Sequence, residues 1–324
     1  MIAQYCAIMS QPILRAPVLI ADNFLPLAQA QAMRADIDAH FAHPDRHRAD
    51  SHQVWNYWFV PGLYTYLRTA PERIIAISRL DGFMQALRGM ALTTIGMGTV
   101  SAPYLSLYVA GCQQGWHNDA TNGRFAFVYS LTSDTRRSTG GETLVMREGD
   151  PMRSHLRRPA AGSSFYEAIA PCFNRLVVFD DRMPHAVAAV VGDMNPAEGR
   201  FVLHGHLSEA PAAVAGALPA RMVAPLIGAA LADFATEAAA SVALYHGPLS
   251  LRVTIAPGGE VGAVEVLLDR VIHPDAGHAD WEMLRARLLD RIAGLRFPPA
   301  AGPTSVIHPV LFGRSVSALE RDGR

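Results

Sequence analysis

Hydrophobic residues change their spacing three times along this chain. In roughly the first hundred positions the spacing is mainly helical. The apolar stretch Pro17-Val18-Leu19-Ile20 is read as a strand, after which Met33, Ile37 and Phe41 recur every four residues. A second helix is predicted from Pro71, a residue suited to a first turn, with Ile74, Ile77, Leu80 and Leu87 along one side. Between the two lies a His- and Arg-rich stretch, His43 to His52, followed by Trp55, Tyr57 and Trp58. We read it as a surface loop feeding a partly buried strand, with a substrate-contacting lid as the alternative.

From Tyr104 to about Leu207 the pattern turns to short β-rich runs separated by Gly, Asn and Asp: Leu105–Val109, Phe125–Leu131, Leu176–Phe179 and Phe201–Leu207. This spacing predicts an antiparallel sandwich or barrel. Residues 209–240 are rich in Ala with scattered Pro and predict a linker passing into a helix around Val223–Ala239. Beyond it, Leu249, Leu251, Val253 and Ile255 alternate with Ser250, Arg252 and Thr254, the mark of a half-buried strand. Pro257-Gly258-Gly259 then turns the chain into a second strand, Val261–Leu268. Asp280 is placed to cap a helix with Trp281, Leu284, Leu288 and Ile292 on one face. Phe297-Pro298-Pro299 ends that helix before a last strand near Ser305–Phe312.

These elements predict a mainly β fold with flanking helices, in the α+β class, followed by a small ββαβ module. The boundaries are 1–208, 209–240 for the Ala-rich linker and helix, and 241–324. A length of 324 residues, half of them hydrophobic, suits two domains, with a single compact unit left open.

Charge narrows the partners. The formal net charge is −1 with no long run of one sign, which argues against a nucleic-acid or membrane-surface binder and favours small molecules or peptides. Every one of the 28 basic residues is arginine, so any anion gripped here is held by guanidinium, histidine or backbone amide. Cys6, Cys112 and Cys172 are too few and too scattered for a disulfide framework or a CxxC knuckle, which fits a reducing cytoplasm. With no basic segment leading into a sustained apolar stretch, the chain is expected to be soluble and unprocessed.

The candidate chemistry lies in the β-rich region. Gly115-Trp116-His117-Asn118-Asp119 puts a histidine and an aspartate two residues apart, so on an extended segment both side chains leave the same side. Sixty-six residues after Asp119, His185 follows the apolar run Leu176-Val177-Val178-Phe179 and sits at the end of a buried strand. Two histidines and one carboxylate make a facial set that leaves neighbouring coordination positions open on a ferrous ion. Arg200 heads the strand Phe201-Val202-Leu203-His204, where a fixed guanidinium can hold a carboxylate by two parallel hydrogen bonds.

In this order and spacing, residues from about 18 to 207 resemble the prolyl-hydroxylase-like group of iron- and 2-oxoglutarate-dependent dioxygenases. Tyr108, nine residues before His117, and Gly140-Gly141-Glu142-Thr143 add to the resemblance. It implies a double-stranded β-helix, or jelly-roll, core. It also implies Fe(II) held by His117, Asp119 and His185, and 2-oxoglutarate anchored through Arg200 and Tyr108. Dioxygen would be the oxidant and ascorbate a candidate reductant. The reaction implied is hydroxylation of an aliphatic C–H bond, of a peptidyl or free amino acid, with release of succinate and CO2. Asp119 fills the position that halogenating relatives leave to halide, so hydroxylation is preferred. Two departures stand out: residues 192–199 lengthen the link between His185 and Arg200, and His206 stands where relatives often carry tryptophan.

Other residues have plainer readings. His204 and His206 share a strand face with Arg200, yet hydrogen-bonded core histidines are commoner than ligands. Cys112 is read as a small buried hydrophobe and Glu142 as a turn residue rather than a base. Arg124 and Arg182 fit either the pocket edge or the solvated surface. Two other function classes remain open: a zinc hydrolase, since the same ligands suit zinc, and a non-catalytic adaptor. Residues from about 247 to 313 resemble the C-terminal domain of TonB-like energy transducers. Without an anchor or periplasmic span this implies a protein-binding or dimerising module rather than energy transduction.

Overall fold

The computed structural model describes residues 18–42, 55–119, 122–146, 166–238, 245–271 and 278–313. The stretch His43 to His52 lies outside them. Contacts divide the chain into two units, one from the described residues of Ala16–Leu87 and Val100–Ser208, the other from Arg88–Thr99 and the described residues from Glu209 on.

The first unit opens with β1 (Val18–Ala21) and α1 (Leu27–Phe41), then β2 (Asn56–Val60) and β3 (Tyr64–Thr69). A single 3-10 turn at Pro71–Arg73 precedes α2 (Ile77–Ile95), whose residues from Arg88 on are counted with the second unit, so Pro71 starts the turn and not the helix itself. The strands that follow are β4 (Thr99–Val100), β5 (Tyr104–Tyr108), β6 (Gln113–His117), β7 (Phe125–Ser130) and β8 (Thr143–Met146). They continue with β9 (Tyr166–Ile169), β10 (Leu176–Asp180), β11 (His185–Val187) and β12 (Arg200–Ser208). The sheet runs in the order β1-β10-β7-β12-β5-β3-β6-β11-β8-β9, and its paired neighbours are antiparallel.

This sheet is curled. β10 and β11 stand far apart in the strand order, yet the rings of Phe179 and His185 lie 4.7 Å apart. Arg200 of β12 likewise donates to the Thr143 hydroxyl of β8 at 3.0 Å. Only a sheet folded back on itself brings these strands together, which gives the half-barrel of a jelly roll. Helix α1 buries Ala30, Met33, Arg34 and Ile37, the i, i+3, i+4, i+7 stripe of a helix that covers a core. On α2, Phe83 is fully buried and stacks on Tyr129 of β7 at 4.9 Å.

β2 departs from expectation. All five of its residues are exposed, although its aromatic composition suggests a partly buried strand. The cause is its position at the margin, where it pairs with β3 and, among the described residues, with no other strand.

The second unit is a four-stranded sheet in the order β13 (Ala213–Gly216), β16 (Thr304–Phe312), β14 (Gly247–Ile255), β15 (Val261–Asp269). With it go α3 (Ala220–Glu237) and α4 (His278–Ala293). The Ala-rich segment is therefore more than linker and helix, because Ala213–Gly216 pairs with β16. The predicted alternation holds from Leu251 to Ile255 and fails at Ser250, which is fully buried; Leu249, Leu251, Val253 and Ile255 are buried in one cluster with Trp281, Leu284, Leu288 and Ile292 of α4 and Val223, Ile227 and Phe234 of α3. Gly259 has φ 91°, and a Cβ there would meet the Phe297 carbonyl at 1.9 Å, so the turn requires glycine. Asp280 lies inside the first turn of α4, not at its cap, because the helix starts at His278. Among the described residues no helix is long and apolar enough to cross a membrane.

Candidate metal centre and anion pocket

The curled sheet encloses a cavity of about 570 Å³ lined by residues of β2, β3, β5, β6, β7, β8, β10, β11 and β12. His117 and His185 are directly paired across β6 and β11, and their rings lie 4.2 Å apart. Asp119 follows the end of β6, held by its own N–H donating to the Asp181 carbonyl at 3.0 Å. One ligand atom from each of His117, Asp119 and His185 lies within 4.8 Å of the others.

Hydrogen bonds fix which nitrogens face inward. Nδ1 of His117 is 2.7 Å from the Gly115 carbonyl, and Nδ1 of His185 is 3.0 Å from the Met183 carbonyl. A carbonyl only accepts, so both rings carry their proton on Nδ1 and leave Nε2 with its lone pair as an acceptor. His185 Nε2 then faces Asp119 Oδ2 at 3.4 Å, lone pair against carboxylate. Two acceptors in that position repel one another unless a cation sits between them, and this donor set suits a ferrous ion. Burial and the neighbouring imidazole of His185 hold the His117 pKa below its ordinary value. Burial works against the charge on Asp119, but a proton taken up between Asp119 and the imidazoles in place of the cation, with His185 as the first partner, gives a hydrogen bond and a charge that outweigh burial and hold the Asp119 pKa low.

Arg200 enters the cavity from β12. It is 1% exposed, Nη2 donates to Thr143, and Nε and Nη1 are buried with no hydrogen-bond partner. Its guanidinium lies over the Tyr108 ring, 4.7 Å from the centroid. Burial lowers the Arg200 pKa and raises that of Tyr108, so the cavity holds a desolvated cation that no carboxylate among the described residues pairs with. That arrangement fits a carboxylate, which two unpartnered N–H groups of one fork can hold side by side. The long link of residues 192–199 does not displace Arg200; a 3-10 turn at Pro196–Glu198, capped by the Asn195 side chain, takes up its length.

Gly140 and Gly141 make room for this. Both have positive φ, 78° and 76°, and a Cβ on Gly141 would come within 2.9 Å of Arg200 Cδ. A Cβ on Gly140 would lie 2.0 Å from the Ala189 carbonyl, which is backbone and cannot swing away. Gly140→Ala is therefore expected to cost about 3 kcal/mol or more, combining left-handed strain with a backbone displacement. Thermal unfolding checks this, and a melting temperature within a degree or so of the parent contradicts it.

Some residues singled out in the sequence find other places. His204 hydrogen-bonds Ser106 Oγ at 2.8 Å, and burial, with Arg68 and Arg200 nearby, pushes its pKa down to about 3. It is neutral and, with His206, lines the cavity without joining the metal cluster. His206 pairs with the buried carboxylate of Asp181 at 3.1 Å. Arg182 pairs with Asp180 at 2.6 Å, and neither it nor Arg124 lines the cavity. Glu142 is also absent from the lining, and its backbone carbonyl accepts the Ala188 N–H. Cys112 is buried.

Two cavity residues escape the sequence reading. The Gln114 side chain accepts from the Tyr108 hydroxyl and donates to His117 Nε2, both at 3.1 Å, and so links the two ends of the site. Arg68 lies between two aromatic rings. Alternation along Tyr64-Thr65-Tyr66-Leu67-Arg68 was the available signal for the second, since 64, 66 and 68 share a face.

Among solved structures, the chain is similar to a prolyl-4-hydroxylase of Pseudomonas putida, with 17% identity over 63% of this chain and 98% of that one, TM-score 0.43. It is also similar to a prolyl hydroxylase from Trichoplax adhaerens in complex with a hypoxia inducible factor oxygen degradation domain peptide fragment. There the identity is 14% over 62% of this chain and 87% of that one, TM-score 0.43. The non-heme alpha ketoglutarate dependent epimerase SnoN from nogalamycin biosynthesis gives 13% over 64% and 84%, again at 0.43. No curated protein matches the chain. The segment that brings Tyr108, His117, Asp119, His185 and Arg200 together, residues 104–207, matches the family model of the 2OG-Fe(II) oxygenase superfamily.

Proposed function

We propose that this chain is a 2-oxoglutarate-dependent dioxygenase that hydroxylates an aliphatic C–H bond of an amino acid, free or within a peptide. The balanced reaction consumes the substrate, 2-oxoglutarate and O2, and releases the alcohol, succinate and CO2. One observation carries the reading: a buried guanidinium with two unpartnered N–H groups shares a cavity with a three-ligand cluster whose lone pairs need a cation.

His117, Asp119 and His185 would hold Fe(II), and the bound ion would supply the activation of dioxygen that side chains alone lack. Arg200 would receive the far carboxylate of 2-oxoglutarate, with Tyr108 beneath the guanidinium orienting it. Gln114 would release His117 Nε2 as that nitrogen takes up its ligand role. The walls around Phe127, Phe179 and Val202 would keep water from the reacting carbon. A zinc hydrolase would use the same three ligands but has no need of the Arg200 fork, and an inert adaptor has no need of either.

Anaerobic addition of ferrous iron and 2-oxoglutarate is expected to give the weak visible charge-transfer band of the chelate, and air is then expected to yield succinate. A protein that gives neither, and purifies with zinc, removes this reading in favour of the hydrolase. We place the protein in the cytoplasm, with ascorbate as a reductant. The TonB-like C-terminal unit is read as a module that binds a protein partner or dimerises. The hairpin, helix and strand of β14, β15, α4 and β16 support that resemblance.

A further inference from the structure

The cavity holds a second arginine that the proposed reaction does not use. Arg68 of β3 lines it together with the metal cluster and Arg200. Its guanidinium carbon lies 3.7 Å from the ring centroid of Trp58 and 3.9 Å from that of Tyr104. A guanidinium held between two rings loses most of its freedom to turn, and part of its edge meets the Tyr66 side chain while the rest faces the cavity. Among the described residues no carboxylate pairs with it.

Charge accounting makes this more pointed. Asp119 is the one acidic residue among those lining the cavity, and Arg68 and Arg200 are the two arginines. When the site is loaded as proposed above, a divalent ion, a dianionic co-substrate, Asp119 and Arg200 cancel one another. Arg68 is left as the uncompensated charge, held in a partly desolvated place where a counter-ion is worth most. His204 is neutral and so contributes nothing to the balance.

Position along the sheet adds a distance. Tyr64, Tyr66 and Arg68 share one face of β3, with Tyr64 touching the His117 ring at 5.5 Å and Tyr66 stacked on Tyr108 at 5.1 Å. Arg68 therefore stands about 13 Å of strand beyond the residue that abuts the metal cluster.

We propose that Arg68, clamped between Trp58 and Tyr104, binds a carboxylate of the substrate, so that the molecule oxidised carries a carboxylate and is attacked several bonds from that group. The assignment as substrate rests on the oxygenase reading, whereas the anion subsite itself can be tested without it. The carboxylate can come from a free acid or from an acidic side chain of a peptide, and the fork recognises both alike.

The test uses the full chain, anaerobic, with ferrous iron and saturating 2-oxoglutarate, so that Arg200 is covered. Calorimetric titrations compare hexanoate with hexanamide, N-acetylleucine with N-acetylleucinamide, and acetyl-Ala-Glu-Ala-amide with its Gln counterpart. At least one acid is expected to bind about tenfold or more tighter than its uncharged partner, as a charge-assisted fork requires. Whether the free acids or the peptide show the preference identifies the source. Arg68→Gln should erase the preference and Arg68→Lys should leave a reduced one, both with the visible 2-oxoglutarate band intact, which also shows that the variants fold. Acids and amides binding alike, no saturable binding of any acid, an Arg68→Gln variant that discriminates as the parent does, or loss of the band in Arg68→Gln each overturn the proposal. A parent without the band that still selects acids through Arg68 keeps the anion subsite and removes the oxygenase reading instead.

Discussion

Arg200→Met is expected to raise the melting temperature of the protein and, in the same molecule, to abolish saturable binding of 2-oxoglutarate. Both effects follow from one side chain. In the free protein the Arg200 charge is 1% exposed, with Nε and Nη1 unpartnered. An apolar side chain of similar length removes that desolvated charge, and such replacements gain about 1 kcal/mol or more. Loaded with a carboxylate, the same guanidinium makes charge-assisted bonds in a water-poor cavity, and truncating a buried pair of this kind costs about 2–5 kcal/mol. That corresponds to a loss of affinity of about 30-fold to a few thousandfold. Arg200→Lys should fall between, keeping the charge but not the fork. Ferrous binding should be unchanged in both variants, because Arg200 is not among the three proposed ligands. A methionine variant that binds 2-oxoglutarate as the parent does, or that melts lower, sinks this account of Arg200.

The second large effect is on the metal. His117→Ala and His185→Ala should each weaken ferrous binding by more than the 10- to 100-fold typical of losing a supporting residue, since each would remove a proposed ligand outright. The charge-transfer band should vanish at iron and 2-oxoglutarate concentrations that saturate the parent. Acidity gives an independent check. A histidine whose pKa is lowered stays neutral, with Nε2 free, until the pH falls through that lowered value. Asp119, also lowered, remains a carboxylate over the same range. In the metal-free protein the His117 ring should therefore titrate below the ordinary imidazole value of about 6.5, which an NMR pH titration of its ring protons reads. A midpoint at or above 6.5 would contradict the burial that depresses His117.

Much of this site is legible in the sequence because its parts obey short-range rules. His117 and Asp119 are two residues apart, and Arg200 heads an apolar strand. What spacing does not reveal is partnership: that His185 would lie directly opposite His117 in the β6–β11 ladder depends on a register fixed by distant strands. Gln114 gave no signal, because a glutamine in a strand looks the same whether it faces water or bridges a tyrosine to a ligand. Composition misled at β2, where aromatic residues suggested burial and the strand's marginal position left them open. At Ala213–Gly216 a low-complexity stretch concealed an edge strand, since alanine carries too little pattern to distinguish linker from ladder.

The curl of the sheet has a mechanical consequence. The imidazoles are anchored in β6 and β11, toward one end of the strand order, whereas the Arg200 backbone belongs to β12, which lies between β7 and β5. A dicarboxylate gripped at one end beside the imidazoles and at the other by Arg200 would act as a strut between these walls, so that ion and acid together resist melting more than their separate contributions suggest.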